Sequence, residues 1–246
     1  MKAMVFAAGL GTRLRPLTDG RPKALVTIGG RTLLEIALTR LRNFGVGEAI
    51  VNVHHFAEQI VAYLAANHNF GMRIEVSREE VLLDTGGGLK KAAWFFDELE
   101  EPFVVHNVDV LSSIDLARMV EFHTEHNALA TLAVAARTTS RPLLFDAGCQ
   151  LRGRGVRNQS ESAPDGPAPG LQSLAFSGIH VLSPRIFPKL IEEGAFSIVD
   201  AYLRLAAQGE SILGLRADGA YWRDLGQPEN LAAAERDFED GTYSAS

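Results

Sequence analysis

The stretch from Phe6 to Leu25, FAAGLGTRLRPLTDGRPKAL, gathers the residue types that hold phosphates. Gly9 and Gly11 carry no Cβ, so the backbone there can approach a ligand closely and turn N–H groups toward its oxygens. Thr12 offers a hydroxyl, Arg13 a planar fork of donors and Lys23 a compact point charge. Arg15 and Arg21 add two more cations within the same short span, yet the formal net charge of the chain is -6. A local positive loop in an acidic background suits a small anionic ligand, and the acidic balance argues against a general nucleic-acid binder. Two common phosphate motifs are excluded. Lys23 lacks the preceding Gly and following Ser or Thr of a Walker loop, and Leu14 stands where a dinucleotide fingerprint needs a small residue.

Other residues have chemical potential of varying quality. The apolar run before Asp109, VVHNVDV, predicts a strand that delivers this carboxylate to the carboxyl edge of a sheet, where open α/β sheets bind ligands. Asp109 is therefore a candidate magnesium ligand, with Asn107 beside it. In LLDTGGGLKKA, three consecutive glycines at a helix start are costly as helix and useful where a ligand or another backbone comes close. Lys90 and Lys91 after them are expected to be solvated. His54 and His55 are adjacent; on a strand they point to opposite faces and cannot share a metal. RTTSR, residues 137–141, is polar enough to bind phosphate, although a turn between strands is the simpler reading.

The elements that must position these residues alternate between apolar strands and helical patterns. AMVFAAG, EAIVNVH, MRIEVSRE, PFVVHNVDV and LATLAVAAR are strands. Between them lie helices, the first placing Leu33, Leu34, Ala37, Leu38 and Leu41 on one face and closing at Gly45. Trp94, Phe95 and Phe96 are expected to pack in the core. This alternation means βαβ crossovers: a three-layer, Rossmann-like α/β fold with a mixed, mostly parallel sheet and helices on both faces. The second half is less regular. Residues 158–172, NQSESAPDGPAPGLQ, predict an exposed mobile loop. After it come the strand LAFSGIHVLS, the helical segments PRIFPKLIEE and IVDAYLRLAAQG, the short strands SILGLRA and AYWRD, and the helix PENLAAAERDFED. One domain over residues 1–246 is expected.

Composition sets further limits. One cysteine, Cys149, rules out an intrachain disulfide and makes a cysteine-based zinc site a poor expectation. No segment approaches the length of a membrane span, and the N-terminal apolar run is too short for a secretory signal and leads straight into the glycine loop. A cytoplasmic protein is expected.

The run G-L-G-T-R-L-R-P-L-T, followed by Pro22-Lys23, resembles the signature of the sugar nucleotidyltransferases, which join a sugar 1-phosphate to a nucleoside triphosphate and release pyrophosphate. The resemblance extends from residue 3 to about residue 232. It implies that Ala8, Gly9, Gly11 and Thr12 cradle the triphosphate, with Arg13 and Lys23 against the reacting phosphates. It makes Asp109 one ligand of Mg2+ and Asp224, in YWRDLGQPENL, the other. Thr85, Gly86 and Gly87 would pass the nucleobase and ribose, and Asn107, Ser177 and Gly178 would contact the sugar. The chain departs from the family pattern in three places. Val108 precedes Asp109 where relatives usually have Gly. No Glu-Lys-Pro precedes AFSGIHVL, where the region instead holds Arg152, Arg154 and Arg157. Asp200 is the nearest carboxylate in GAFSIVDAYL, where thymidylyltransferase-like relatives carry a sugar-binding Glu. These departures, with DTGGG, FSGI and GAF, point to a compact branch resembling the N-acetylmuramate 1-phosphate uridylyltransferases of cell-wall recycling.

The expected partners are a nucleoside triphosphate and a sugar 1-phosphate, with no nucleic acid and no membrane, in a monomer or small homo-oligomer. UTP is the preferred nucleotide, with guanylyl and thymidylyl transfer close behind. Two other readings stand beside this one. A regulatory protein that binds nucleotides or sugar nucleotides without catalysis is motivated by Val108 and the missing Glu-Lys-Pro. A dinucleotide-dependent oxidoreductase is opposed by Leu14.

Overall fold

The computed structural model describes residues 1–155 and 169–243, so most of the expected loop at 158–172 lies outside the described residues. Along the chain, β1 (Lys2–Phe6) leads to the hairpin strands β2 (Thr27–Ile28) and β3 (Arg31–Thr32), then α1 (Leu33–Asn43). There follow β4 (Glu48–Val53), α2 (Ala57–Ala66), β5 (Arg73–Arg78), α3 (Asp84–Lys91), β6 (Phe103–Asn107), β7 (Val110–Ser112) and α4 (Leu116–Glu125). The second half contains β8 (Ala130–Ala135), β9 (Leu143–Phe145), β10 (Leu151–Arg154), β11 (Gln172–Leu182), α5 (Ile198–Ala207), β12 (Ile212–Arg216), β13 (Trp222–Asp224) and α6 (Pro228–Glu239).

Alternation within β1 explains the layering. Ala3 and Val5 join one buried cluster, and Met4 and Phe6 join another on the opposite face. The first cluster takes its helical partners from α1, α2, α4 and α6, including Leu34, Ile60, Met119 and Ala234. The second takes Leu89 of α3 and Ile198, Tyr202 and Leu205 of α5. All five apolar positions expected on α1 are buried, and the helix is capped by Thr32, whose Oγ1 accepts from Glu35 N at 3.0 Å.

The main sheet is mixed. β5, β4, β1 and β6 run parallel in that order, and β11 pairs antiparallel with β6. Beyond this point the sheet branches, because β11 also pairs with β8 and β9; β12 lies parallel to β8, and β10 completes a hairpin with β9. The chain steps from β1 to β4 to β5 on one side, and the connection after β5 crosses back to place β6 on the other side of β1. That is a topological switch point, and ligands bind outside the carboxyl ends of strands at such a place.

Several local expectations are corrected. PRIFPKLIEE forms only a short 3-10 turn over Pro184–Lys189, with a second proline inside it to stop propagation. The hairpin β9–β10 falls where no strand was expected. Of the aromatic run, Phe95 and Phe96 are buried but Trp94 is half exposed. Lys90 is not simply solvated, since its Nζ donates to Glu192 O at 2.6 Å. β4 ends at Val53, so the two histidines follow the strand; His54 Nδ1 lies 2.8 Å from Glu79 O, while the His55 ring packs on Phe56. Among the described residues, no helix is long and apolar enough to cross a membrane.

Candidate active site

A cleft of about 480 Å³ opens at the carboxyl ends of β1, β4, β5 and β6. Its floor comes from the loop after β1, and its walls from Asn52, the Leu82–Thr85 region, Asn107–Asp109, Ala195 and Gly226. The loop after β1 is held in shape by its own residues. Gly11 has φ +67°, a conformation L side chains rarely adopt, and a Cβ there would lie 3.0 Å from Thr18 and 3.1 Å from Lys23. Thr18, buried beneath, donates from Oγ1 to Gly11 O at 2.9 Å. A Cβ at Gly9 would meet nothing within 4 Å, so the protein itself leaves that space open on the cleft side.

The four cations of this segment separate. Arg13 and Lys23 line the cleft. Arg15 turns outward to pair with Asp19 at 3.4 Å, and Arg21 lines a different surface hollow beside α6. Lys23 is buried and forms an ion pair with Asp109 Oδ2.

The second carboxylate arrives by strand pairing. β13 lies antiparallel to β7 with Asp224 opposite Val110, and Leu225 N donates to Asp109 O at 2.8 Å. Asp224 Oδ1 accepts from Gly226 N at 2.7 Å. A Cβ on Gly226 would stand 2.8 Å from Arg13 Nη2, 2.8 Å from Asp224 Oδ1 and 3.3 Å from Lys23 Nζ. Arg13, Lys23 and Asp224 therefore converge on one backbone position, with Asp109 joined to it through Lys23. Arg13, Lys23 and Asp109 line the cleft, with Asp224 outside the lining against Gly226; cations and carboxylates gathered in this way suit a polyphosphate, whose oxygens can be shared between cations and a metal ion.

Ala8, Gly9, Gly11, Thr12, Arg13, Lys23, Thr85, Asn107 and Asp109 all line the cleft. Gly86 and Gly87 do not. Their N–H groups both point to Phe196 O, at 2.8 and 3.4 Å, and their missing side chains admit the 194–196 segment, where a Cβ at Gly87 would stand 2.3 Å from Gly194 O. The triple glycine thus serves helix packing at these two positions, and Thr85 is the member that faces the cleft while its Oγ1 accepts from Ile198 N at 3.0 Å. Ser177 and Gly178 also lie behind the lining. Ser177 is buried, and its hydroxyl accepts from Arg137 Nη2 at 2.8 Å. Gly178, at φ +74° within the bulge between Phe176 and His180, lets β11 close on Asn107; a Cβ there would be 2.8 Å from Asn107 Nδ2. Val108, where relatives usually have Gly, is buried in the core cluster and also lines the cleft, between Asn107 and Asp109.

The lining residues missed in the sequence include Asn52, Leu82, Asp84, Ala195 and Gly226. Asn52 ends an apolar strand, and a polar residue in that position was the available signal. Its Oδ1 accepts from Ala7 N at 2.8 Å, and its Nδ2 donates to Glu79 Oε1 at 2.7 Å. Glu79 Oε2 in turn accepts from Leu83 N at 2.9 Å, so one buried chain of hydrogen bonds ties the phosphate loop to the segment after β5.

Known proteins resemble this chain along nearly its whole length. The family model described as Nucleotidyl transferase matches residues 2–241. The N-acetylmuramate alpha-1-phosphate uridylyltransferase of Caulobacter vibrioides is 35% identical over 95% of this chain and 95% of its own. The mannose-1-phosphate guanyltransferase of Pichia angusta is 32% identical over 94% of this chain, which spans 62% of that longer protein. Among solved structures, the UDP-glucose pyrophosphorylase of Acinetobacter baumanii shares the fold with a TM-score of 0.78 and 20% identity, each chain covering 98% of the other. With the family model matched along nearly the whole chain and a relative similar from end to end, this chain belongs to the nucleotidyl transferase family.

Proposed function

We propose that this protein transfers a nucleotidyl group from a nucleoside triphosphate to a sugar 1-phosphate, releasing pyrophosphate, with UTP and N-acetylmuramate 1-phosphate as the preferred pair. The observation that carries the reaction is the convergence of Arg13, Lys23 and Asp224 around Gly226, with Asp109 paired to Lys23. The choice of substrate pair is supported by the similarity to the Caulobacter uridylyltransferase, with a guanylyl acceptor such as mannose 1-phosphate as the competing pair.

In this reading an oxygen of the sugar phosphate attacks the α-phosphorus, the bond to the bridging oxygen breaks, and pyrophosphate leaves. A phosphate monoester is largely dianionic near neutral pH, so the nucleophile needs no general base. The work left to the protein is alignment and charge neutralisation. The glycine loop turns its N–H groups to the β- and γ-phosphates, Arg13 binds the departing pyrophosphate, and Lys23 neutralises charge at the reacting phosphate.

Asp109 and Asp224 are hard oxygen donors on adjoining strand ends, the donor set that Mg2+ takes. Among the described residues no group of three or more His, Cys, Asp or Glu is gathered, so an ion on this pair would take its remaining ligands from phosphates and water. Mg2+ held by this pair would supply Lewis-acid polarisation of the phosphoryl oxygens.

The deciding experiment is pyrophosphate release with Mg2+ across a panel of triphosphates and sugar 1-phosphates, with Asp109→Ala as control. Release with UTP and N-acetylmuramate 1-phosphate, lost in the variant, supports the whole reading. Release with a different pair keeps the reaction and discards the muramate assignment. Triphosphate binding with no release for any pair sinks the enzyme and favours a nucleotide-binding regulator.

A further inference from the structure

Arg137 follows β8 in the polar RTTSR segment and has no role in the site as described so far. Its turn is fixed by the backbone: Ala136 N donates to Asp218 Oδ1 at 2.6 Å, and Arg137 N to Ala135 O at 3.0 Å. The guanidinium lies over the face of Trp222, 3.3 Å from the ring centroid, and Nη2 donates to Ser177 Oγ at 2.8 Å. Trp222 is anchored in turn by its Nε1 donating to Ser177 O at 2.8 Å. Arg137, Ser177 and Trp222 thus form a rigid unit.

That unit shares a strand with one of the two carboxylates. Trp222 and Asp224 are two apart on β13 and share a face, which places them about 7 Å apart. Gly178, next to Ser177, packs on Asn107 in the cleft wall. The negative charge of Asp224 acts on Arg137, although burial is the stronger influence and lowers its proton affinity.

The other well-buried arginines of the fold are satisfied. Arg40 donates to Ser112 O, Ser112 Oγ and Ile114 O; Arg204 pairs with Glu192 at 2.7 Å and Arg223 with Asp237 at 2.5 Å. Arg137 makes no ion pair among the described residues, and its buried Nε has no hydrogen-bond partner. A half-buried cation that faces Asp224 and Asp218 yet pairs directly with neither is costly and needs an explanation. An anionic ligand supplies one.

We propose that Arg137, held flat on Trp222 and fixed by Ser177, binds the phosphate of the incoming sugar 1-phosphate through the outer N–H groups of its guanidinium. This rests on the proposed reaction. In-line displacement brings the attacking phosphate from the side opposite the departing pyrophosphate. Arg13 and the glycine loop serve the pyrophosphate, while Arg137 lies apart from them, outside the cleft lining, on Ser177 of β11 and Trp222 of β13. The stack holds the fork in one orientation, so the nucleophile is presented with little freedom left to lose.

Arg137→Met and Arg137→Lys test this in steady-state kinetics, with Arg13→Met as comparison. Expected for Arg137→Met is a KM for sugar 1-phosphate raised about 10- to 100-fold, with the KM for triphosphate unchanged and Arg137→Lys intermediate. A rise in both KM values with a lowered melting temperature would mark a structural residue and overturn the assignment. So would a penalty seen with N-acetylmuramate 1-phosphate but not with glucose 1-phosphate, since the anion bound would then be the sugar carboxylate. If the wild type turns over no pair, the proposed reaction falls, and calorimetric titration with glucose 1-phosphate decides the inference. Weaker binding by Arg137→Met supports it, and equal binding or none by the wild type overturns it.

Discussion

Lys23 and Asp109 stand 86 residues apart in the chain and form an ion pair at the base of the cleft, joining the phosphate loop to the end of β6. Lys23 is nearly enclosed, with its side chain 9% exposed, whereas Asp109 is 23% exposed and reaches the cleft. In the proposed reaction the pair would fix the positive charge of Lys23 at the reacting phosphate and keep the carboxylate aimed at the same point.

If the two act as one unit, their losses do not multiply. Lys23→Met and Asp109→Asn should each lower kcat about 10²- to 10³-fold, the range for loss of one preorganised electrostatic group. The double variant should be little worse than the poorer single one. Losses that multiply fully would show that the two residues serve independent steps.

Gly226 offers a test that leaves every charged group in place. A methyl at this position meets Arg13 Nη2 and Asp224 Oδ1 at 2.8 Å, so both must shift. Gly226→Ala should lower kcat at least about tenfold, since displacement of about 1 Å is enough to disturb alignment. Its melting temperature should stay close to that of the wild type, because the arginine end can move aside. Unchanged kcat would mean that the convergence around Gly226 is not the catalytic arrangement.

The parallel half of the sheet was legible because each strand is a continuous apolar run and each helix repeats its apolar face. The loop from Ala8 to Lys23 was legible for a different reason: its glycines and cations are consecutive in the chain. Arg137, Ser177 and Trp222 form their unit through the branching of the sheet at β11, which no local pattern encodes. β9 and β10 escaped notice because strands of three or four residues carry too few positions to show a period. Gly86 and Gly87 were expected to face the nucleotide. Glycine signals that something comes close, and here that something is the Phe196 ring at Gly86 and the Gly194 backbone at Gly87.

Gly87→Ala follows from that correction. Its Cβ would stand 2.3 Å from a backbone carbonyl oxygen, which cannot rotate away as a side chain can. The loss should be at least about 2 kcal/mol, or about 4–8 °C in melting temperature for a chain of this size. In the protein that remains folded, the KM for triphosphate should change little. A stable Gly87→Ala with sharply weakened nucleotide binding would return this glycine to the ligand site.

Three buried histidines set the acid limit of stability. Burial holds His106 and His180 down to about 3 and His123 down to about 4, against an ordinary value of 6.5. His106 is also repelled by Arg40, His123 by Arg185, and His180 by His106. Between pH 6.5 and the folded values, the unfolded chain binds protons that the native state refuses. Their contribution is therefore fully present above pH 6.5 and is lost progressively as the pH falls toward 4 and then 3. Each should withdraw up to about 2 kcal/mol between pH 7.5 and pH 5, so urea midpoints should drop steadily across that interval. In the native protein, the ring resonances of these three residues should not move over the same range. Titration of any of them near pH 6.5 in the folded state would show that water reaches the ring, and would remove that residue from the account of acid unfolding.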